Sequence, residues 1–223
     1  MKMHLEEKRS ELIGRREQLI GGFSEAARAA NHAALDIIVK DIRFTNEFIG
    51  SLEQISSETR PKLDNSVPRF AVSSFFLTEA FKKLTADRNE QFFFITGTEV
   101  EGVFVLDQMA EFQHEKRTVV GVVAEPRSTH RLLIKLEQFG HRLLGHFHSH
   151  PGLGADATHP SGTDEGFQRR LESAGHKAVM AIFSRDGFVR FQRLDQNFEI
   201  DIFGEGVERH APNVYRLTNI DKD

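Results

Sequence analysis

The chain has 223 residues, a formal net charge of −4 and no cysteine. This length suffices for one large domain, or for a domain with an appendage. The absence of basic excess argues against nucleic-acid binding, and the absence of cysteine excludes disulfides, thiolate metal sites and a cysteine nucleophile. The charged first residues lack the apolar core of a signal peptide, and no stretch has the roughly 20 apolar residues of a membrane span. We therefore expect a cytoplasmic protein with no membrane partner.

Residues 1–62 are predicted to be helical, because no proline precedes Pro61 and apolar residues recur at helical spacing. The first helix is expected to break at Gly21-Gly22, and the second to run from about Ser24 to Ser56. A helix of roughly 30 residues is long for a globular protein, which suggests a hairpin or an arm for oligomerisation or partner binding. The alternative, that both helices simply pack on the following domain, stays open.

A second domain, predicted over residues 66–223, mixes strands with helices. A strand at 69–74 precedes a helix whose N-cap is Ser73 or Ser74. Further strands are expected over 91–97, 101–112, 117–125, 142–150, 177–183, 188–194 and 214–218. Helices are expected over 128–140 and from Ser161 to about Ser173. Turns are placed at Gly97-Thr98 and Asp186-Gly187. This order predicts an α/β or α+β fold: a mixed β-sheet flanked by helices, with an N-terminal helical extension.

Three histidines, His146, His148 and His150, alternate along one predicted strand, so their side chains share a face. The outer two start roughly 13 Å apart and cannot bind one ion from a straight strand, whereas neighbours, about 6.6 Å apart, can. The third ligand must come from elsewhere, and Asp164 in the first turn of the next helix is the evident source. Two imidazoles and one carboxylate leave a tetrahedral zinc with an open position, as in catalytic sites. Histidines near a proline turn can also be ordinary surface or capping residues.

The stretches "GHFHSHP" and "SGTD" resemble the JAMM, or MPN-plus, zinc metalloprotease motif, which reads His-x-His-Pro, a spacer, then Ser-x-x-Asp. The resemblance covers about residues 67–195 and does not include the N-terminal helices. It implies that His148, His150 and Asp164 bind Zn²⁺ and that Ser161 helps to hold the oxyanion. His146 stands where relatives often have an aromatic residue, and we expect it to pack or to make a supporting hydrogen bond.

The family also uses an upstream glutamate at the start of a strand. Glu90, before "QFFFITG", occupies that place and is the expected general base, while Glu99 and Glu101 are weaker candidates. One departure is the spacer of nine residues, 152–160, which is longer than is usual in the family. It contains Asp156 and His159, which either approach the zinc or the substrate, or are solvated loop residues.

The resemblance implies hydrolysis of an amide or isopeptide bond at the C-terminal tail of ubiquitin or a ubiquitin-like protein, in a pathway with E1-like and E2-like proteins. One alternative is a zinc amidase of the same fold that acts on a sulfur-carrier protein or a small molecule. Another is a non-catalytic scaffold domain, although every motif position is filled here. A third is that the helical arm, through homo-oligomerisation, is the main functional part.

Overall fold

A computed structural model describes residues 5–29, 32–57, 67–86, 88–100, 102–110, 114–118, 121–124, 142–195 and 197–220. Its α-helices are α1 (Leu5–Arg28), α2 (His32–Ser57), α3 (Ser74–Leu84) and α4 (Gly162–Ser173), with a 3₁₀ turn at Ala155–Thr158. Its strands are β1 (Arg69–Ser73), β2 (Phe92–Val100), β3 (Val103–Ala110), β4 (His114–Thr118), β5 (Gly121–Ala124), β6 (Arg142–Ser149), β7 (Val179–Phe183), β8 (Phe188–Gln192), β9 (Glu199–Phe203), β10 (Val207–Ala211) and β11 (Val214–Leu217). No helix among these residues is long and apolar enough to cross a membrane.

Nine of the strands form one mixed sheet in the order β10-β11-β8-β7-β6-β2-β3-β1-β9. The pairs β6–β7, β1–β3 and β1–β9 are parallel, and the other neighbouring pairs are antiparallel. Strands β4 and β5 form a separate hairpin. The predicted α+β class, with a mixed sheet flanked by helices and preceded by a helical extension, is confirmed.

The two faces of the sheet are covered by different helices, because successive side chains of a strand point to opposite faces. Phe70 and Val72 of β1 pack in the cluster that contains α3, whereas Ala71 packs with residues of α1 and α2. On β2, Phe92 and Phe94 face α4, where they meet Phe167 and Leu171. The central strands β2 and β6 are therefore covered by α3 on one face and by α4 on the other.

The N-terminal helices pack on the sheet. Leu12 of α1 and Phe48, Ile49 and Leu52 of α2 are buried in one cluster with residues of β1, β2, β3 and β9. This packing agrees with the alternative in which both helices rest on the following domain. The boundary at residue 62, and a role of these helices in assembly, stay predictions.

The predicted helix break at Gly21-Gly22 is wrong. Helix α1 continues to Arg28, and α2 begins at His32. An interior glycine costs a helix only about 1 kcal/mol relative to alanine, which packing between helices can offset. Gly22 lies against α2, since a Cβ added there would be 3.8 Å from Cδ1 of Ile38.

The predicted turn at Gly97-Thr98 is also wrong, because β2 continues to Val100 and the chain turns at Gly102, with φ +82°. Gly97 lies at an irregularity in the pairing with β3, where an added Cβ would collide with the carbonyl oxygen of Val105. Glycine is required there for close backbone approach rather than for a turn.

The strand predicted at 117–125 is instead a hairpin of β4 and β5. The helix predicted over 128–140 lies outside the described residues. Strands β9 and β10 were not predicted from the sequence, whereas the Asp186-Gly187 hairpin and the final strand are confirmed. Ser73 is the N-cap of α3, and its hydroxyl accepts a hydrogen bond from the Phe76 amide.

Candidate metal centre

Two sheet histidines and a helix carboxylate meet at the end of β6. His148 lies on β6 with 3% of its surface exposed, and His150 directly follows the strand. The His150 amide donates to the Phe183 carbonyl, which continues the alignment with β7 for one more residue. Asp164 reaches the same point from the first turn of α4. The predicted ligands, which lie on β6, just after it and on α4, are thus brought together.

The distances between these side chains suit a single small cation. Nε2 of His148 is 3.2 Å from Oδ1 of Asp164, and Nε2 of His150 is 3.4 Å from Oδ2. One ligand atom from each residue lies within 4.8 Å of the others. Ligands bound at about 2.0–2.1 Å to a tetrahedral ion lie roughly 3.3–3.4 Å from one another, so the two distances to Asp164 fit a tetrahedrally bound cation.

The hydrogen bonds also leave the facing nitrogen atoms available as ligands. Nδ1 of His150 donates to the carbonyl of Ala157 at 2.8 Å, which leaves the lone pair of Nε2 directed at the carboxylate when the ring is neutral. Nε2 of His148 is buried and lies 3.2 Å from Oδ1 of Asp164. Lone pairs that face a carboxylate at this range require a proton or a cation between them. The residues therefore fit a metal ion.

The same contacts determine the pKa shifts of Asp164 and His150 in the metal-free protein. Burial alone would raise the pKa of Asp164, but the hydrogen bonds from both histidines and from Ser161 outweigh it and hold that pKa well below its usual range. Burial alone would lower the pKa of His150. Its bonds to Asp164 and the Ala157 carbonyl, with the charges of Asp164 and Glu90, raise it instead.

The long loop after Pro151 supports His150 through its backbone. Its 3₁₀ turn presents the Ala157 carbonyl to the imidazole, which fixes the tautomer in the manner common at metal sites. The turn is held in place by Arg190 of β8, whose Nε donates to the hydroxyl of Thr158 at 3.2 Å and whose Nη2 lies 3.3 Å from Nε2 of His159.

The two side chains of this loop that the sequence singled out do not join the cluster of metal-binding groups found among the described residues. His159 is exposed and lies against Arg190. Asp156 is exposed and interacts with the Arg190 charge. Their predicted alternatives as solvated loop residues or as substrate contacts remain expectations.

His146 is buried beside the ligands, where the sequence predicted packing or a supporting hydrogen bond. Its ring stacks on His148, with centroids 5.7 Å apart, and on Phe92 at 5.3 Å. Its Nε2 lies 3.0 Å from Oε1 of Gln168, whose amide nitrogen donates to Glu172 and to the Ala178 carbonyl. Burial, followed by the proximity of His148, lowers the pKa of His146 to about 3, so the ring is neutral.

Ser161 is the N-cap of α4 and forms a capping box with Asp164. Its amide and its hydroxyl each donate to Oδ2 of Asp164 at 2.7 Å, while its Oγ accepts from the Asp164 amide at 3.3 Å. These bonds orient the carboxylate toward the histidines. The predicted role of Ser161 as a donor to an oxyanion stays a prediction and requires its hydroxyl to rotate away from Asp164.

Glu90 lies immediately before β2 and is half-buried. Burial raises the pKa of its carboxyl group. His150 opposes this shift and Asp164 adds to it, which places all three groups within electrostatic reach. Glu99 is committed elsewhere, in an ion pair at 2.9 Å with Arg142. Glu101 lies outside the described residues.

Two supporting residues were not singled out by the sequence reading. Gln168 is four residues after Asp164 and so lies on the same face of α4, a spacing that could have identified it. The part played by Arg190 depends on contacts that span more than 30 residues, and no local pattern marks it.

Comparison with known proteins gives little further information. No family model and no curated protein matches the chain. Among solved structures, a protein of Desulfitobacterium hafniense matches with 17% identity and a TM-score of 0.44, covering 61% of this chain and 94% of that one. A JAB1/MPN domain protein of Archaeoglobus fulgidus matches with 13% identity and a TM-score of 0.35, covering 60% and 98%. Both TM-scores lie below 0.5.

Proposed function

We propose that the protein is a zinc-dependent hydrolase that cleaves an amide or isopeptide bond at the C-terminal tail of a ubiquitin-like protein. The observation that carries the hydrolase assignment is the separation of the ligand atoms, 3.2 and 3.4 Å, between the two histidines and Asp164. Three ligands on a site with no thiolate match the open coordination of catalytic zinc.

A bound zinc ion would lower the pKa of water toward 7 and polarise a substrate carbonyl. Glu90 supplies the complementary proton transfer, since its carboxylate lies close to His150 and Asp164 without being needed as a ligand. It would accept a proton from the attacking water and pass it to the leaving amine. His148, His150 and Asp164 would hold the metal, and the Ala157 carbonyl keeps His150 in the required tautomer.

The substrate class rests on the sequence resemblance to the JAMM motif. The loop that follows Pro151 carries Leu153, which has 71% of its surface exposed. An extended peptide tail, which offers backbone groups and an adjacent apolar side chain, is chemically suited to such a surface. E1-like and E2-like proteins are proposed as pathway partners on the same basis.

The experiment pairs metal analysis with cleavage of a ubiquitin-like protein fused through its C-terminal tail. We expect about one zinc per chain, and its loss in His148→Ala and in Asp164→Ala. Glu90→Gln should keep the zinc and lower the cleavage rate by about 10²–10⁴-fold, the usual contribution of a general base. Glu208→Gln, an exposed glutamate on β10, is the matched control and should cleave normally.

Zinc that persists at full occupancy in both ligand variants would remove the proposed metal site. Zinc-loaded protein that cleaves no tail fusion would overturn the proposed substrate class. Normal cleavage by Glu90→Gln would move the general base to another residue.

A further inference from the structure

Arg185, in the turn between β7 and β8, contacts both the loop that follows Pro151 and the segment that precedes β2. Its backbone amide donates to the carbonyl of Gly152 at 3.0 Å, in the loop that follows Pro151. Its guanidinium reaches the other way, toward the segment before β2. There Nη1 donates to the carbonyl of Thr85 at 2.9 Å and Nη2 to the carbonyl of Asn89 at 3.4 Å.

The second of these carbonyls belongs to the residue directly before Glu90. Segment 85–90 connects the end of α3 to β2, and Thr85 is the C-cap of α3. Beyond both ends the chain is tied to β6: the Ser149 hydroxyl donates to the Leu84 carbonyl and accepts from the Gln91 amide. Between these ties, the Arg185 guanidinium bonds to the first and fifth residues of the segment.

We propose that Arg185 is a positioning residue, which holds Glu90 at the distance from His150 and Asp164 that proton transfer requires. This inference rests on the proposed function. A planar guanidinium can donate to two carbonyls in a fixed geometry, and its charge suits the carbonyl end of a helix. A lysine carries its three N–H donors on one nitrogen atom and cannot reproduce the planar fork that bridges the two carbonyls.

The geometry separates this role from metal binding. The contact with Gly152 comes from the backbone of Arg185 and survives substitution of the side chain. The three ligands lie on β6, at its end and on α4, none of which the guanidinium contacts in the hydrogen bonds above. Loss of the guanidinium should therefore move Glu90 and leave the metal site intact.

The test compares Arg185→Gln and Arg185→Lys with wild type, using Arg209→Gln on β10 as a control with an exposed arginine. Zinc affinity, measured against a chelator, should stay within about twofold of wild type. Amide hydrogen exchange in segment 84–91 should rise about tenfold or more in both Arg185 variants and not in the control. The kcat for the tail fusion should fall about 10–100-fold with KM unchanged, as expected for a small displacement of a reacting group.

A double variant that combines Arg185→Gln with Glu90→Gln tests whether Arg185 affects kcat through Glu90. If Arg185 acts through Glu90, adding Arg185→Gln to Glu90→Gln should cause almost no further loss of kcat. Multiplied losses, unchanged exchange in segment 84–91, or lost zinc would each overturn the inference. If the zinc-loaded wild type cleaves nothing, the proposed function fails, and hydrogen exchange with zinc affinity still decides whether Arg185 holds the segment.

Discussion

Replacement of Asp107 by asparagine is expected to stabilise the protein at alkaline pH and to have a smaller effect in acid. Asp107 is the extra residue of β3 at the irregularity opposite Thr96 and Gly97. It is 8% exposed, and its Oδ1 has no hydrogen-bond partner among the described residues. The charged groups that act on it, Lys8, Glu11 and Arg15, all lie on α1.

The magnitude follows from the pKa. Burial raises the pKa of Asp107 from 3.8 to about 7, a shift that Lys8 opposes and Glu11 reinforces. Because the folded-state value is the higher one, the protonated carboxyl favours folding below pH 3.8, and this advantage is lost as pH rises toward 7. At 1.36 kcal/mol per pKa unit, the charged aspartate destabilises the fold by about 2–3 kcal/mol more at pH 8 than at pH 5.

Urea unfolding of the metal-free protein at pH 5 and pH 8 measures this difference. The free energy of unfolding of Asp107→Asn, relative to wild type, should increase by about 2–3 kcal/mol between the two pH values. Glu208→Gln, at an exposed position, should show almost no such change. A pH-independent effect of Asp107→Asn would mean that the carboxyl is solvated and that burial does not raise its pKa.

Two further outcomes are expected. Deletion of residues 1–62 should expose the sheet surface formed by Ala71, Val103 and Val105, and should therefore lower the stability and solubility of the protein. If these residues are instead a separable arm, the deletion should leave a folded domain of altered mass. Circular dichroism and light scattering distinguish the two outcomes. Gln168→Leu should lower the free energy of unfolding by about 1–3 kcal/mol, because it leaves the buried His146 nitrogen and the Ala178 carbonyl without this partner. Thermal unfolding measures this loss, with Gln18→Leu, at an exposed position of α1, as the control. Equal losses in both variants would contradict this account.

Much of the candidate site could be predicted because its signals are local. The alternation of His148 and His150 fixes a shared direction on a strand, and a serine three residues before an aspartate indicates a helix start. The structure places Asp164 at that start with its carboxylate toward both histidines. Each of these two patterns spans only a few residues of one strand or one helix start, so each can be recognised in the sequence alone.

The incorrect predictions about the fold have a common physical origin, because the deciding contacts join residues that are distant along the chain. Glycine looked like a turn residue at position 97 and a helix breaker at 21–22. At the first site the constraint is the Val105 backbone on the next strand, and at the second a neighbouring helix lies against Gly22. Strand β9 likewise exists through parallel pairing with β1, about 130 residues earlier.

The spacer 152–160 shows why side-chain types alone could not predict which group of this loop supports the site. Its Asp156 and His159 were candidates because their side chains can bind metals, but neither belongs to the ligand cluster among the described residues. The group that the site uses is instead the carbonyl of Ala157, which any residue could supply. What the sequence must specify is the length and turn of the loop, together with the Thr158 hydroxyl that receives Arg190. This loop therefore serves the orientation of His150, and a loop of another shape would have to supply a different acceptor for its Nδ1 proton.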